Sequence, residues 1–493
     1  MRDGTLANIG AVSLEARTLG GGRLSFVFAL PAENASTNKW QRECRNCMTE
    51  KKISRLTATN IVVANMIGVG VFTSLGFQVI GIHSNFALMS LWLIGGLISL
   101  CGALSYAELA AALPKSGGEY NFLSRIYHPM LGFMAGWLSA TVGFAAPVAL
   151  AAMAFGTYFE GFVPVLSPLA LSLSVVWLTT GVLLTGIRSG EVFQNLTTIL
   201  KLLMIFVFII AGLLLPNKQP FSLNVGPSDL SEMLSWPFAL SMFFVMYSYS
   251  GWNAASYITA EVQDAPRNVP WALLFGTTFV TILYVLLNFV FLVSTPAAKL
   301  AGQLNVALIA GQSIFGPVGG KIASAVISLG LIASVSAMIW IGSRITKAMA
   351  DDFKNLRFFG RVNRFGVPHV ALILQLVIIT GLILTATFET ILLYVQFGLL
   401  LCSFLVVLGL FVLRIREPNL ERPYRVWGYP VTPGIFLVMS AYLLIYSAYR
   451  NPWESGCGVL TLLAGILVYY LCRGNGPQSA ENSERDRSLE SQN

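Results

Sequence analysis

Twelve apolar runs of about 17 to 28 residues divide the chain, each bounded by charged residues, proline or glycine. Because about 20 apolar residues in a helix cross the hydrocarbon core of a bilayer, each run is a candidate transmembrane helix. We number them as segments 1 to 12: 56–80, 86–112, 130–158, 168–186, 197–215, 236–262, 270–294, 320–349, 368–387, 389–414, 433–449 and 455–472. The sequence therefore predicts an all-α integral membrane protein with twelve transmembrane helices.

The composition agrees with a membrane protein. Charged residues make up only 11% of the 493 residues, whereas soluble domains carry about 25%. The net charge of +8 therefore does not indicate nucleic-acid binding, and we expect membrane lipid, not nucleic acid, around the chain. The six cysteines and three histidines are scattered, so we expect no metal and no cofactor.

The basic residues predict the orientation, because Lys and Arg favour cytoplasmic loops. If the N-terminus is cytoplasmic, the outer loops contain Lys218, Lys299, Lys321 and Arg450. The inner segments contain Lys51, Lys52, Arg55, Lys115, Arg125, Arg188, Arg267, Arg344, Lys347, Lys354, Arg357, Arg361, Arg364, Arg414, Arg416, Arg422, Arg425 and Arg473. We predict that both termini are cytoplasmic and that the protein lies in the cell membrane (plasma or inner).

The two ends of the chain differ from the apolar part. Residues 1–50 read as a polar leader that is disordered or lies upstream of a natural start at Met48. The tail 474–493 is polar and predicted to be disordered. Cys44 and Cys47 form a single CxxC in the leader, for which incidental thiols are favoured over a redox or metal site.

Segments 1 and 6 contain glycine at mid-membrane depth. Gly68 and Gly70 lie in the middle of segment 1, and Gly251 lies among small polar residues in segment 6. Glycine in membrane helices more often permits close packing than unwinding. However, the two segments enter from opposite sides and each is the first of five. This arrangement predicts two inverted repeats, 51–215 and 216–415, each starting with an interrupted helix and followed by segments 11 and 12 in 416–473.

An interrupted membrane helix has a specific chemistry. It exposes free N–H groups at the start of its second half and free C=O groups at the end of its first half. The N–H end suits a carboxylate, and the C=O end suits an ammonium group. An amino acid carries both groups, so the two interruptions predict an amino acid site.

Three motifs resemble those of the amino acid–polyamine–organocation (APC) permeases. They are Asn65–Phe72 (NMIGVGVF), Tyr106–Tyr120 (YAELAAALPKSGGEY), and Ser250–Asn253 (SGWN) followed by Glu261 and Pro266–Pro270 (PRNVP). The resemblance covers residues 55 to about 415. It implies the leucine-transporter (LeuT) fold, a 5+5 inverted repeat with helices 1 and 6 discontinuous, usually with two further C-terminal helices.

The resemblance also implies a substrate site. The carboxylate would contact backbone N–H groups of the interruption in segment 1, and the ammonium would contact carbonyls of segments 1 and 6. The residues implied are Met66, Gly68, Val69, Gly70, Tyr247, Ser250 and Gly251. The Tyr247 ring would cover the substrate. Many relatives carry Ser, Thr or Ala in place of Val69, so here only backbone contacts are available and the narrower site favours apolar or small substrates.

Lys201 is an ionisable residue in segment 5. It lies only about 6 Å from the predicted cytoplasmic start of the segment, so the sequence alone leaves a functional residue and a snorkelling anchor equally open. The resemblance implies the functional role, because sodium-independent relatives place a lysine where related transporters bind sodium. Its ammonium would reach the interruption in segment 1 and polar groups such as Ser334 and Ser336 of segment 8.

The resulting hypothesis is a secondary active amino acid transporter that uses alternating access, either proton-coupled or an exchanger. A polyamine or organic cation carrier would need acids at mid-membrane, but Glu108, Glu191, Glu261 and Glu389 lie near predicted interfaces, where solvated or capping carboxylates are expected. A non-transporting amino acid sensor with the same fold remains open. No catalytic motif indicates an enzyme. The outer loop 159–168 has no cysteine, so we expect no disulfide-linked heavy chain.

Overall fold

The computed structural model describes residues 14–19, 23–28, 52–162, 166–186, 191–215, 219–221, 223 and 226–473. The chain divides into two compact units, residues 1–52 and 53–493. In the first unit, β1 (Leu14–Leu19) pairs antiparallel with β2 (Arg23–Phe28), two strands that the sequence analysis did not predict. The predicted start at Met48, the CxxC cysteines and the tail 474–493 lie outside the described residues.

The second unit is helical. Its α-helices are α1 Arg55–Met66, α2 Gly70–Gly81, α3 Asn85–Ala112, α4 Gly118–Ile126, α5 Pro129–Leu138, α6 Ala145–Phe162, α7 Pro168–Leu184, α8 Glu191–Leu213, α9 Pro227–Met233, α10 Trp236–Ser248, α11 Ala265–Ser294, α12 Ala297–Leu300, α13 Val306–Asp352, α14 His369–Thr385, α15 Phe388–Arg416, α16 Val431–Arg450 and α17 Pro452–Arg473. A π-helix (Ser139–Gly143) joins α5 to α6, and two 3₁₀ helices are Ala254–Glu261 and Lys354–Leu356.

Within the described residues, nine helical stretches are long and apolar enough to cross a membrane. Three further apolar helices, α7, α10 and α14, are shorter. Each of the twelve segments predicted from the sequence coincides with one of these helical stretches. The predicted helical, multi-pass integral membrane protein is confirmed.

The outer surface is apolar, as lipid contact requires. Leu178 and Ile445 are each 70% exposed, and Leu214 is 77% exposed. A soluble protein would bury such side chains, because exposed apolar surface costs about 25 cal/mol per Å² in water. In hydrocarbon this cost is absent, so apolar side chains on the surface are compatible with lipid contact.

Serine or threonine side chains cap the N-termini of several helices. Ser54 accepts a hydrogen bond from the third residue after it, and Ser84, Ser235 and Thr387 do the same at the starts of α3, α10 and α15. Each of these bonds satisfies one of the amide groups that a helix leaves free at its N-terminus. Serine and threonine next to an apolar run therefore set where the helices start.

Segment 8 is longer than predicted. The apolar helix starts at Val306, and a non-helical residue, Gly316 with φ 76°, divides it just before Pro317. Proline has no amide hydrogen and fixes its φ angle, so the helix cannot continue through it undisturbed. The predicted start at residue 320 corresponds to the part that follows this kink.

Both predicted interruptions are present. In segment 1, α1 ends at Met66 and α2 begins at Gly70. In segment 6, α10 ends at Ser248, Gly251 has φ 97°, and the chain continues as the 3₁₀ helix Ala254–Glu261. We call α1 and α10 the first halves of segments 1 and 6, and α2 and Ala254–Glu261 their second halves.

A short parallel bridge joins the start of segment 1 to the end of segment 6. The Ile53 N–H donates to the Glu261 carbonyl (2.8 Å), and the Gln263 N–H donates to the Ile53 carbonyl (2.9 Å). Segment 7 (α11) packs along α1 and α3, and segment 8 (α13) packs along α6 and α8. These long helices enclose the two interrupted segments.

Candidate functional site

The two interruptions lie directly against each other. A Cβ atom on Gly251 would lie 2.9 Å from the backbone of Asn65, and a Cβ atom on Gly70 would lie 2.5 Å from the Ser248 Oγ. The Ser74 and Ser248 hydroxyls are hydrogen-bonded to each other (2.8 Å). Glycine at these two positions is therefore needed for close approach, and the small residues bring the open backbone of both segments to one place.

Side chains from two other segments cap the carbonyl end of the interruption in segment 1. The Lys201 ammonium, from segment 5, donates to the Ile67 carbonyl at 3.1 Å. The Tyr284 hydroxyl, from segment 7, donates to the Met66 carbonyl at 2.6 Å. Because the hydrocarbon core offers no water, these bonds satisfy carbonyls that the break leaves free.

Lys201 lies inside the protein. It is 4% exposed, and its ammonium also reaches the Ser334 Oγ of segment 8 at 3.4 Å. A Cβ atom on Gly330 would lie 2.7 Å from the Lys201 Cδ, so the aliphatic stem crosses segment 8 where that segment has no side chain. Ser336 is buried in the same segment. In this position the ammonium supplies positive charge to the interruption of segment 1 and does not serve as an interfacial anchor.

The amide end of this interruption is open. The N–H groups of Val69, Gly70 and Val71 donate to no acceptor among the described residues. The Gly68 N–H differs, because it donates to the Met66 carbonyl at 2.8 Å. A Cβ atom at Gly68 would contact only the Met66 carbonyl oxygen, at 3.9 Å. The start of α2 thus has free amide donors and room for a small side chain beside them, an arrangement that suits binding of an anion at a helix N-terminus.

Segment 6 contributes carbonyl groups. The Tyr247 carbonyl accepts from the Ser250 N–H (2.9 Å), and the Gly251 carbonyl accepts from the Ala254 N–H (3.0 Å). No described residue donates to the Ser250 carbonyl. The Tyr247 side chain is 5% exposed at the end of the first half. The free Ser250 carbonyl can accept a hydrogen bond from a ligand ammonium.

In the structure the sequence-predicted residues form two groups, the interruption residues and Lys201 with its partners, and these groups are in contact. The interruption residues of segments 1 and 6 meet at Asn65, Gly70, Ser248 and Gly251, and Lys201 joins them through Ile67. Sequence reasoning missed Tyr284, which forms a 2.6 Å hydrogen bond to a predicted substrate-binding residue. The available signal was a lone tyrosine in the middle of an apolar helix, because a hydroxyl in hydrocarbon needs a partner.

One interpretation of the acidic residues was wrong. Glu108 is 1% exposed and is neither solvated nor a helix cap. Arg414 contacts it with two hydrogen bonds (2.9 and 2.6 Å), Arg422 lies 3.5 Å away, and the Val426 N–H donates to it at 2.7 Å. Two cations and an amide compensate the buried charge, so this cluster joins segment 2 to the end of segment 10. Glu191 has no described side chain.

The part of the chain that the structure describes contains no candidate metal site. No group of three or more histidine, cysteine or acidic side chains is placed to hold a metal ion there. The four described cysteines, Cys101, Cys402, Cys457 and Cys472, are free thiols. The absence of a cofactor stays a prediction for the whole chain.

The apolar helices and the comparisons with known proteins together define a multi-pass membrane transport protein and not an enzyme. A family model described as "Amino acid permease" matches residues 53–468. Because this match covers most of the sequence, the chain belongs to the amino acid permease family. The predicted resemblance and the predicted permease function are confirmed.

Curated relatives share this function. The chain is 28% identical over 433 residues to "Asc-type amino acid transporter 1" of Homo sapiens, a match that covers 86% of this chain and 82% of that protein. It is 29% identical to "Large neutral amino acids transporter small subunit 2" of Mus musculus, covering 86% and 81%. It is 27% identical to "b(0,+)-type amino acid transporter 1" of Homo sapiens, covering 87% and 89%.

Proposed function

We propose that the protein is a secondary carrier of neutral amino acids that works by alternating access around the two interruptions. The observation that carries this proposal is the contact between the interruptions, of Gly70 with Ser248 and of Gly251 with Asn65, together with free amides in segment 1 and a free carbonyl in segment 6. The family and the names of the relatives support amino acids as the substrate class.

The substrate contacts follow from which backbone groups are free. The amino acid carboxylate binds the N–H groups of Val69 and Gly70, next to Gly68. The ammonium binds the Ser250 carbonyl, with Met66 and Tyr247 as neighbouring acceptors that already have donors. The Val69 side chain narrows the site, which favours small or apolar substrates, and the Tyr247 ring covers them.

The topology we propose is the LeuT-type 5+5 inverted repeat with twelve transmembrane helices. The nine long and three short apolar helices supply the required number, and both interruptions lie in the first segment of their repeat. Residues 51–215 and 216–415 form the two repeats, and 416–473 adds segments 11 and 12. With both termini cytoplasmic, the outer loops carry four basic residues against eighteen inside, in agreement with the preference of Lys and Arg for cytoplasmic loops, and we place the protein in the cell membrane.

Lys201 is the proposed coupling residue, together with Ser334 and Ser336. Its ammonium joins segments 5 and 8 to the carbonyl end of segment 1, where a bound cation would otherwise be needed. A lysine that stays charged fits an exchanger or facilitator, whereas one that gains and loses its proton fits a proton-coupled carrier.

We also propose that this chain works without a disulfide-linked heavy chain. One relative is named a small subunit, which describes that protein as part of an assembly. In this chain the connection 159–168 contains no cysteine, so the covalent bond that would hold such a partner there cannot form. A non-covalent partner would appear as a second band after mild purification.

The test is uptake by the purified protein in liposomes. We expect uptake of labelled neutral amino acids, and its dependence on internal amino acid or on an imposed pH gradient distinguishes exchange from proton coupling. Binding without uptake would show a sensor, and uptake of polyamines but not amino acids would show an organic cation carrier. Either result would overturn the proposal.

A variant tests the site itself. Gly68→Leu places a bulky side chain beside the free amides, where a Cβ atom already contacts the Met66 carbonyl oxygen, so we expect it to abolish amino acid binding. Gly381→Leu is the matched control, because a Cβ atom at Gly381 meets nothing within 4 Å and the residue lies in segment 9, away from the interruptions. Equal affinity in the Gly68→Leu variant and the wild type would show that the substrate lies elsewhere.

A further inference from the structure

A second buried carboxylate lies where four elements meet. Glu119, in the first turn of α4, is 4% exposed. Its Oε1 accepts hydrogen bonds from the Tyr106 hydroxyl of segment 2 (2.9 Å), the Ser403 hydroxyl of segment 10 (3.1 Å) and the Asn253 amide that follows the interruption of segment 6 (3.2 Å). The Tyr257 hydroxyl, in the second half of segment 6, also hydrogen-bonds to the carboxylate.

No cation compensates this carboxylate among the described residues. The titratable groups that face it are Tyr106, Tyr257 and Cys402, and none of them can carry a positive charge. α5, which also packs against α4, contains no titratable residue. On α4 itself, Arg125 is paired with Glu417. Glu119 therefore differs from Glu108, which forms ion pairs with Arg414 and Arg422.

Burial has a direct effect on the acidity of this group. Desolvation raises the pKa of Glu119 above its ordinary value of 4.5, and the surrounding hydrogen-bond donors only partly oppose this shift. The carboxylate therefore binds a proton at a higher pH than an exposed glutamate does.

The loop before Glu119 is hydrogen-bonded to the second half of segment 6. The Gly117 N–H donates to the Tyr257 carbonyl (3.1 Å), and the Ala260 N–H donates to the Ser116 Oγ (3.0 Å). Gly118 has φ 50°, and a Cβ atom there would lie 2.8 Å from the Tyr257 ring. Backbone and carboxylate contacts thus hold the same short helix, which continues directly from Gly251 of the candidate site.

We propose that the Glu119 carboxyl group is a proton-binding site that controls how firmly segments 2 and 10 hold the second half of segment 6. This inference rests on the proposed transport function. The three hydrogen bonds at Oε1 all come from donors, so the geometry suits the ionised carboxylate. Proton binding removes the negative charge of this acceptor and weakens these contacts. The second half of segment 6 is then released, and uptake of a proton accompanies movement at the substrate site.

The first experiment measures uptake in liposomes with equal pH inside and outside, between about pH 5 and pH 8. Uptake by the wild type should rise as the pH falls. Glu119→Gln, which is permanently neutral, should lose this dependence and keep the low-pH rate throughout. Glu160→Gln, at the end of segment 3, is the control and should keep the wild-type profile. A Glu119→Gln variant with the wild-type profile would overturn the proposal.

A second variant should shift the pH dependence of uptake without removing the Glu119 carboxyl group. Ser403→Ala deletes one donor to the ionised form, so the midpoint should shift upward by about one pH unit, equivalent to one lost hydrogen bond. Ser440→Ala is the control, because the buried Ser440 hydroxyl has no hydrogen-bond partner among the described residues. A purely structural role of Ser403 would lower uptake at every pH and leave the midpoint in place, contrary to the proposal.

A third measurement does not depend on transport. Because folding raises the pKa of Glu119, its contribution to stability is fully present below its ordinary value and is lost as the pH rises through the raised value. The melting temperature of the wild type should therefore fall relative to that of Glu119→Gln between pH 5 and pH 8. A constant difference would contradict proton binding at Glu119 even if amino acid transport is confirmed, and a changing difference would support it even if transport fails.

Discussion

The two interruptions differ in what holds them open. In segment 1, the freed carbonyls receive hydrogen bonds from Lys201 and Tyr284, which belong to segments 5 and 7. In segment 6, a glycine at positive φ turns the chain and the carbonyls of Tyr247 and Gly251 bond to amides within four residues. The break in segment 1 therefore depends on tertiary partners, whereas the break in segment 6 is specified locally.

This difference has an energetic consequence. A buried carbonyl that loses its partner costs about 1–3 kcal/mol, and more when the partner is charged. Segment 1 can therefore be altered by changing residues far away in the sequence. The turn of segment 6 responds mainly to changes within the turn itself, whereas the Glu119 carboxylate holds the second half of the segment that follows it. Three variants test this contrast, in order of expected effect.

Lys201→Ala should have the largest effect. It removes the ammonium from the Ile67 carbonyl and leaves a gap against Gly330. A lost hydrogen bond to a charged group corresponds to about 1.5–3 kcal/mol, so we expect amino acid uptake in liposomes to fall about a hundredfold. Lys201→Arg keeps the charge but not the compact head group and should be intermediate. Normal kinetics for Lys201→Ala would show that segment 1 does not need this partner.

Gly251→Ala should have the second largest effect. The φ of 97° and the 2.9 Å approach to Asn65 leave no room for a Cβ atom, and strain of this kind costs about 1–3 kcal/mol. We expect uptake to fall about tenfold, along with a lower melting temperature. Gly181→Ala in segment 4 is the control, because a Cβ atom there contacts nothing within 4 Å. If both variants behave alike, the turn of segment 6 is not the constraint we describe.

Tyr284→Phe should have the smallest effect. The Met66 carbonyl loses one donor at 2.6 Å but keeps the Gly68 N–H at 2.8 Å. One neutral hydrogen bond corresponds to about 0.5–1.5 kcal/mol, so uptake should fall by about three- to tenfold. A loss as large as that of Lys201→Ala would mean that the hydroxyl, not the ammonium, maintains the interruption.

Local patterns made much of the fold predictable. Apolar length located the helices, and glycine at mid-depth located both interruptions, because these features act within a single segment. Gly316 and Pro317 show the limit of this approach, since the apolar run extends through them to Val306 while the helix axis changes.

The side-chain pairings that could not be predicted from the sequence are contacts between residues far apart in the chain. Tyr284 lies 218 positions from Met66, and Arg414 lies 306 positions from Glu108. Neither pairing has a local signature, because the partners meet only after the helices pack. The hydrogen bond from the Gly68 N–H to the Met66 carbonyl is local, but it depends on the φ and ψ angles of the break itself. Substrate contacts of the predicted residues stay predictions.

The bridge between Ile53 and Val262 has a mechanical consequence. Its two backbone hydrogen bonds tie the chain just before the first half of segment 1 to the chain just after the second half of segment 6. These two pieces are remote in sequence, yet neither can tilt without displacing the other or breaking both bonds. A movement of one piece is therefore transmitted to the other, and a crosslink placed between them would leave this coupling intact.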